Sequence, residues 1–163
     1  MLNFVVDPRI LTPFVPPGTE IDYENGETFL SIVGFLFLDT RLLGLPIPLH
    51  RNFEEVNLRF YVRKRSADTW RRGVVFIREL VPRRAIALVA RAFYGERYVA
   101  LPMRHAIIDD GVHVSAEYSW RRGKKWESLE VSATGELQLI PAGSHARIHH
   151  RTLLGIHLRR DGL

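Results

Sequence analysis

The sequence predicts an α+β domain, mainly antiparallel β-sheet with a short N-terminal helix and one longer helix near 82–94. Three observations lead there. Apolar and polar residues alternate in short runs separated by turn signals, the pattern of half-buried strands. A helical spacing occurs only twice. No repeat, linker or low-complexity tract interrupts residues 1–144, so that stretch reads as one domain, and 163 residues can bury a core unaided.

Asp7-Pro8 looks like an N-cap followed by proline in the first turn, with Ile10, Leu11 and Phe14 on the apolar side. "VPPG" at Val15 to Gly18 stops that helix. "ENG" at Glu24 to Gly26 is a turn, and Thr28 to Leu38 a mostly buried strand. The loop "GLPIPLH" leads to a strand from about Phe53 to Lys64. "SADTWRRG" then turns the chain into its hairpin partner, Val74 to Leu80. Pro82 to Tyr94 has Ile86, Leu88, Val89 and Phe93 as an apolar side and Gly95 at C′, which predicts the longer helix. Met103 to Ile108, Val112 to Trp120 and Trp126 to Ala133 follow as strands, with turns at "DDG" and "RRGKK".

Composition narrows the function classes. No cysteine occurs, so disulfides and thiolate metal sites are excluded and a reducing compartment fits. The most apolar run, "TFLSIVGFLFL", has 11 residues, short of the roughly 20 that cross a bilayer. No membrane partner is expected, and a cytoplasmic protein is. The net charge of +5 suggests a polyanion partner, but much of it lies in a basic tail, 145–163. That tail holds four arginines against one aspartate, and four of the seven histidines.

The main candidate site is the strand "NFEEVNLRFYVRKR". Read with a period of two, Val56, Leu58, Phe60 and Val62 share one face, and Glu55, Asn57, Arg59 and Tyr61 the other. The polar row is either the wet side of a sheet or the lining of a pocket. The pocket reading rests on three points: Glu55 and Arg59 can neutralise each other, Asn57 can satisfy either, and a tyrosine is rarely spent on solvent. A second group, Arg91, Tyr94, Arg97, Tyr98, Met103 and His105, mixes cations with aromatics and could clamp a small anion or simply edge a helix. Lys124 and Lys125 sit at a hairpin tip, where solvated turn lysines are expected rather than a reactive amine. The basic hairpin ends, Arg63 to Arg65 with Arg71-Arg72 and Arg121 to Lys125, could form a phosphate-binding rim or merely keep strand ends soluble. No nucleic-acid-binding motif accompanies them, and nucleic acid is not the expected partner. "HARIHH" and His157 lack a supporting Cys or Glu, so no metal and no cofactor is expected.

The stretches "VPPGTEID", "VGFLFLDTRLLGLPIPLHRNFEEVNLRFYV", "RRGVVFIRELVPRRAIALVA" and "YVALPMRH" resemble the YqjF-like bacterial family of unknown function, over Asn3 to Ser144. The resemblance implies the acetoacetate-decarboxylase-like fold, a β-cone or barrel around a small-molecule pocket. "EEV" is similar to the decarboxylases' Asn-Glu-Val, which makes Glu55 the matching acid. "ARAFYGERYV" is similar to the stretch that carries their Schiff-base lysine, with Arg91 and Gly95 matching. Tyr98 and Val99 stand where the two lysines would be, and an imine cannot form on a phenol.

These features lead to a small-molecule-binding β domain without Schiff-base decarboxylase activity. Its site would comprise Glu55, Asn57, Arg59, Tyr61, Arg91, Tyr98 and Met103, and its ligand would be a small polar or anionic organic molecule. A homo-oligomer is compatible. The alternative is an enzyme acting on a small carboxylate or carbonyl compound, with Glu55 as general base and Arg59 or Tyr98 stabilising an enolate or oxyanion. An enclosed Glu55 near Tyr98 would favour chemistry, and an open polar cleft binding. A basic surface for nucleic acid is the third reading. From Arg147 the family resemblance stops. Permitted codons for Arg147 to His157, read one base over, spell "EFITEHYWGYT", close to the family's continuation. The expectation is therefore a frameshifted, truncated C-terminus that leaves the barrel incomplete.

Overall fold

In the computed structural model, residues 1–42, 45–46, 52–83 and 98–135 are described. They fall into two units, Leu2–Ala100 and the residues from Leu101 onward with Met1. The first unit is a six-stranded sheet, and among the described residues it is open. In order it contains β1 (Leu2–Val6), β3 (Thr28–Phe37), β6 (Phe53–Ser66), β7 (Thr69–Val81) and β8 (Tyr98–Ala100), with β2 (Glu20–Ile21) pairing β6. Neighbours run antiparallel except β7 and β8, which are parallel. Two short strands, β4 (Arg41–Leu42) and β5 (Leu45–Pro46), pair only with each other. The second unit contains a meander of β9 (Met103–Asp109), β10 (His113–Arg122) and β11 (Lys125–Thr134). This is a mainly antiparallel α+β fold.

The short helix α1 (Pro8–Leu11) begins where Asp7 caps it. Asp7 Oδ1 accepts the backbone N–H of Arg9 at 2.9 Å, and a 3-10 turn over Thr12–Phe14 continues the chain. The Arg9 side chain and then that N–H hold the Asp7 carboxyl below its usual range. α1 matters for what it buries. Leu11 packs against Phe60 and Val62, with Phe14, Ile21, Leu30, Val75 and Ile77 around them. Leu11 and Phe60 are wholly buried, and each such side chain contributes about 1.5–3 kcal/mol. The apolar face of β6 is thus covered in part by α1 and the turn after it. Of the longer helix expected near 82–94, residues 84–94 lie outside the described ones.

Strand lengths changed most at the β6–β7 hairpin. The stretch expected to turn is itself strand: the turn is only Ala67 and Asp68, with Ala67 at a φ of 48°. "ENG" is a two-residue hairpin turn, with φ of 52° at Asn25 and 83° at Gly26 and reciprocal backbone bonds between Glu24 and Glu27. β1 and β8 had no counterpart in the predicted strands. Among the described residues no helix is long and apolar enough to cross a membrane.

The β6–β7 register contains one irregularity. From the turn back to Arg59↔Phe76 the pairing is regular, but the next pair is Leu58↔Arg78. Ile77 is the extra residue of a β-bulge, and it packs with the Phe60 cluster. Uninterrupted pairing would set Arg78 opposite Asn57. The bulge moves each later side chain of β7 to the other face, so Glu79 lies opposite Asn57 and is buried, while Arg78 is exposed. This register makes a prediction for urea unfolding. Arg78→Ala should change stability by no more than about 0.5 kcal/mol. Glu79→Ala, which opens a cavity and strips neighbours of a hydrogen-bonding group, should cost about 1–3 kcal/mol. The reverse order would contradict the bulge.

Candidate functional site

The polar row of β6 faces the same way as the sequence reading expects, and its inner half is enclosed. Glu55 and Asn57 are each 2% exposed, and Arg59 and Tyr61 are half-buried. The register builds a second dimension onto the row. Val33 of β3, Asn57 of β6, Glu79 of β7 and Tyr98 of β8 are successive lateral partners, so they share a face. Glu79 is also 2% exposed and Tyr98 9%. Asn57 Nδ2 donates to Glu55 Oε1 at 3.3 Å, and the Tyr98 hydroxyl donates to Glu55 Oε2 at 3.3 Å. One carboxylate is thereby held from two strands. Asn57 Oδ1 is buried and has no hydrogen-bond partner among the described residues.

The surroundings grade from apolar to polar along β6. Beyond Glu55, Phe53, Val81 and Tyr98 form a buried cluster with Phe37 and Ala100 packed on it. The Phe37 and Phe53 rings stack with centroids 4.7 Å apart, and Phe35 meets Phe37 edge-on at 5.0 Å. This apolar end lowers the local dielectric beside Glu55 and strengthens any electrostatic contact made there. At the other end the Ser31 and Tyr61 hydroxyls are 2.9 Å apart, and Ser31 donates to Asn3 Oδ1 at 2.6 Å. The Arg59 guanidinium lies 6.0 Å from the Tyr61 ring. A molecule on this face would meet carboxylates and an amide at one end, and a cation with hydroxyls at the other.

Of the seven site residues expected, Glu55, Asn57 and Tyr98 are bonded together, and Arg59 and Tyr61 extend their row. Arg91 lies outside the described residues. Met103 is half-buried on β9, opposite Trp120, in the second unit. Glu79 is the member that sequence reasoning missed. A lone acid inside an apolar strand was a visible signal, but its face depends on the bulge. Among the described residues no group of three or more His, Asp or Glu is placed to hold a metal.

The profile of the DUF2071 family, described as an uncharacterized conserved protein, matches residues 1–154. The match runs past Ser144, where the sequence-level resemblance ended. The chain is also similar to the uncharacterized protein YqjF of Bacillus subtilis (strain 168), at 34% identity over 103 residues. That alignment covers 63% of this chain and 41% of the relative, so less than half of YqjF is spanned. With nearly the whole length matched by one profile, the chain belongs to the DUF2071 family.

Proposed function

We propose that the Glu55 face of the β6–β7–β8 sheet binds a small polar organic molecule. The observation that carries this reading is the burial, side by side, of Glu55, Asn57 and Glu79. Buried carboxyls and amides stabilise a fold less than apolar residues of the same volume, so their clustering favours a role in recognition. Glu79 also shifts the balance of the described row towards acceptors, which favours a ligand carrying hydroxyl or amine donors near Glu55. Arg59 and Tyr61 suit an anionic or carbonyl oxygen at the other end.

A second reading is an enzyme, favoured by the enclosed Glu55 with the Tyr98 hydroxyl at 3.3 Å. Glu55 would take a proton from carbon beside a carbonyl, and the electron pair would move onto the carbonyl oxygen. Tyr98 or Arg59 would hold that oxygen. Schiff-base chemistry has no support: Lys64, Lys124 and Lys125 are the chain's lysines and all are exposed, whereas an amine nucleophile is activated by desolvation or a neighbouring cation in an enclosed site. The acetoacetate-decarboxylase-like fold, a cytoplasmic location and the frameshifted tail belong to the same proposal. They are supported by the "EEV" placement of Glu55, the absence of cysteine and the existence of permitted codons for Arg147 to His157 that spell "EFITEHYWGYT" one base over.

A thermal-shift screen of small carboxylates, polyols and aromatic acids tests the site. At a concentration about 100 times Kd, a ligand should raise Tm by roughly 5–10 °C, and Glu55→Gln should abolish the rise. A ligand that shifts both proteins equally binds elsewhere, and a screen that shifts neither defeats the reading. Borohydride with acetoacetate should leave the protein mass unchanged, because no lysine is set up to form the imine. Sequencing the coding DNA checks the tail: codons for Arg147 to His157 that do not read as the family motif one base over would rule the frameshift out.

A further inference from the structure

The end of the β6–β7 hairpin carries a charge pattern that the sheet does not need. Three consecutive cross-strand pairs are Arg63↔Arg72, Lys64↔Arg71 and Arg65↔Trp70. Like charges directly opposite one another destabilise a strand pair. Some of these cations are compensated. Arg72 Nε lies 3.0 Å from Asp22 Oδ2, and Arg63 Nη2 lies 3.4 Å from Glu20 Oε2. The Arg63 guanidinium also sits 4.5 Å above the Trp70 ring, which is 47% exposed. Lys64, Arg65 and Arg71 are exposed and pair with no acid among the described residues.

This cationic ribbon also runs beyond its neighbours. β2 flanks β6 only as far as Glu20 opposite Arg63, and β8 flanks β7 only at Glu79 to Val81. Among the described residues no further strand pairs with 64–71 from either side. Lys64 and Arg65 lie on one strand and Arg71 on the other, so each long edge of the ribbon offers positive charge. The acid at its apex is Asp68, which is exposed.

We infer that the 64–71 ribbon binds the phosphate backbone of duplex nucleic acid, lying in a groove with one strand towards each phosphate row. A two-stranded ribbon fits the major groove, and cations on both edges match phosphates on both sides of it. A flat anionic lipid surface fits less well. Met tip-first it would face Asp68, and met broadside it would engage one face of the ribbon only. The partner is independent of the enclosed Glu55 face, which lies on the same sheet but away from the turn.

Fluorescence anisotropy of a labelled duplex of mixed sequence, titrated with the full chain at several salt concentrations, tests this. Three phosphate contacts contribute a slope of about −2.7 in log K against log salt, or an about 40-fold loss between about 50 and 200 mM. Lys64→Ala, Arg65→Ala and Arg71→Ala together should flatten the slope by that amount with an unchanged circular dichroism spectrum. Arg65→Lys with Arg71→Lys should retain binding, because phosphate neutralisation needs charge rather than a guanidinium. Co-sedimentation with phosphatidylserine vesicles runs in parallel. Binding to vesicles without binding to duplex would overturn the inference. So would a wild-type chain that binds no duplex, or a triple variant that keeps the wild-type affinity and slope.

Discussion

The pairing of β6 with β7 is the constraint on which the first unit depends. These are its two longest strands, and every other strand of the six-stranded sheet except β1 is attached to one of them. The pairing has two registers joined at one bulge. On the turn side Arg59 faces Phe76, and on the far side Asn57 faces Glu79. Because side chains alternate with period two, this single extra residue decides which half of β7 contributes to which face. Ile77 itself goes to the apolar cluster around Phe60, where its packing helps to offset the lost ladder bond.

That change of register places an acid, rather than an arginine, among Glu55, Asn57 and Tyr98. Arg78 in the same position would supply a counter-charge and make the row a structural ion-pair network. Glu79 makes it acceptor-rich, and Asn57 Oδ1 adds a buried acceptor with no hydrogen-bond partner among the described residues. β8 matters as much as the bulge, because its parallel pairing brings the Tyr98 hydroxyl to Glu55 across 43 residues of sequence. Tyr98 thus gives Glu55 a hydrogen-bond donor from a separate strand.

The hairpin end and the enclosed row are governed by opposite physics. Around Glu55 water is excluded, so polar groups must find partners and each contact is strengthened by the apolar ring cluster beside it. Beyond Arg63 water and salt screen every charge, so the exposed Lys64, Arg65 and Arg71 act mainly on groups they directly contact. Family membership does not distinguish these two surfaces, since the matched profile carries no stated activity.

Much of the fold was legible in the sequence because its signals are local. Asp7-Pro8 announces a helix start, "ENG" a hairpin turn, and the alternation of β6 and β10 two strands with defined faces. The row of Glu55, Asn57, Arg59 and Tyr61 was readable for the same reason: a period of two assigns a face without reference to any partner. Face alone does not determine burial, and only the neighbouring strands show that Glu55 and Asn57 are enclosed while Arg59 and Tyr61 are half open. Glu79 was not legible, because its face depends on a bulge set by the packing of Ile77 against residues distant in sequence. Nor was the pairing of β8, a strand of three residues with no periodicity of its own. By itself the sequence determined most of the longer strands, the "ENG" turn and the polar row. Tertiary structure decided the register between β6 and β7, and with it which charges are buried together.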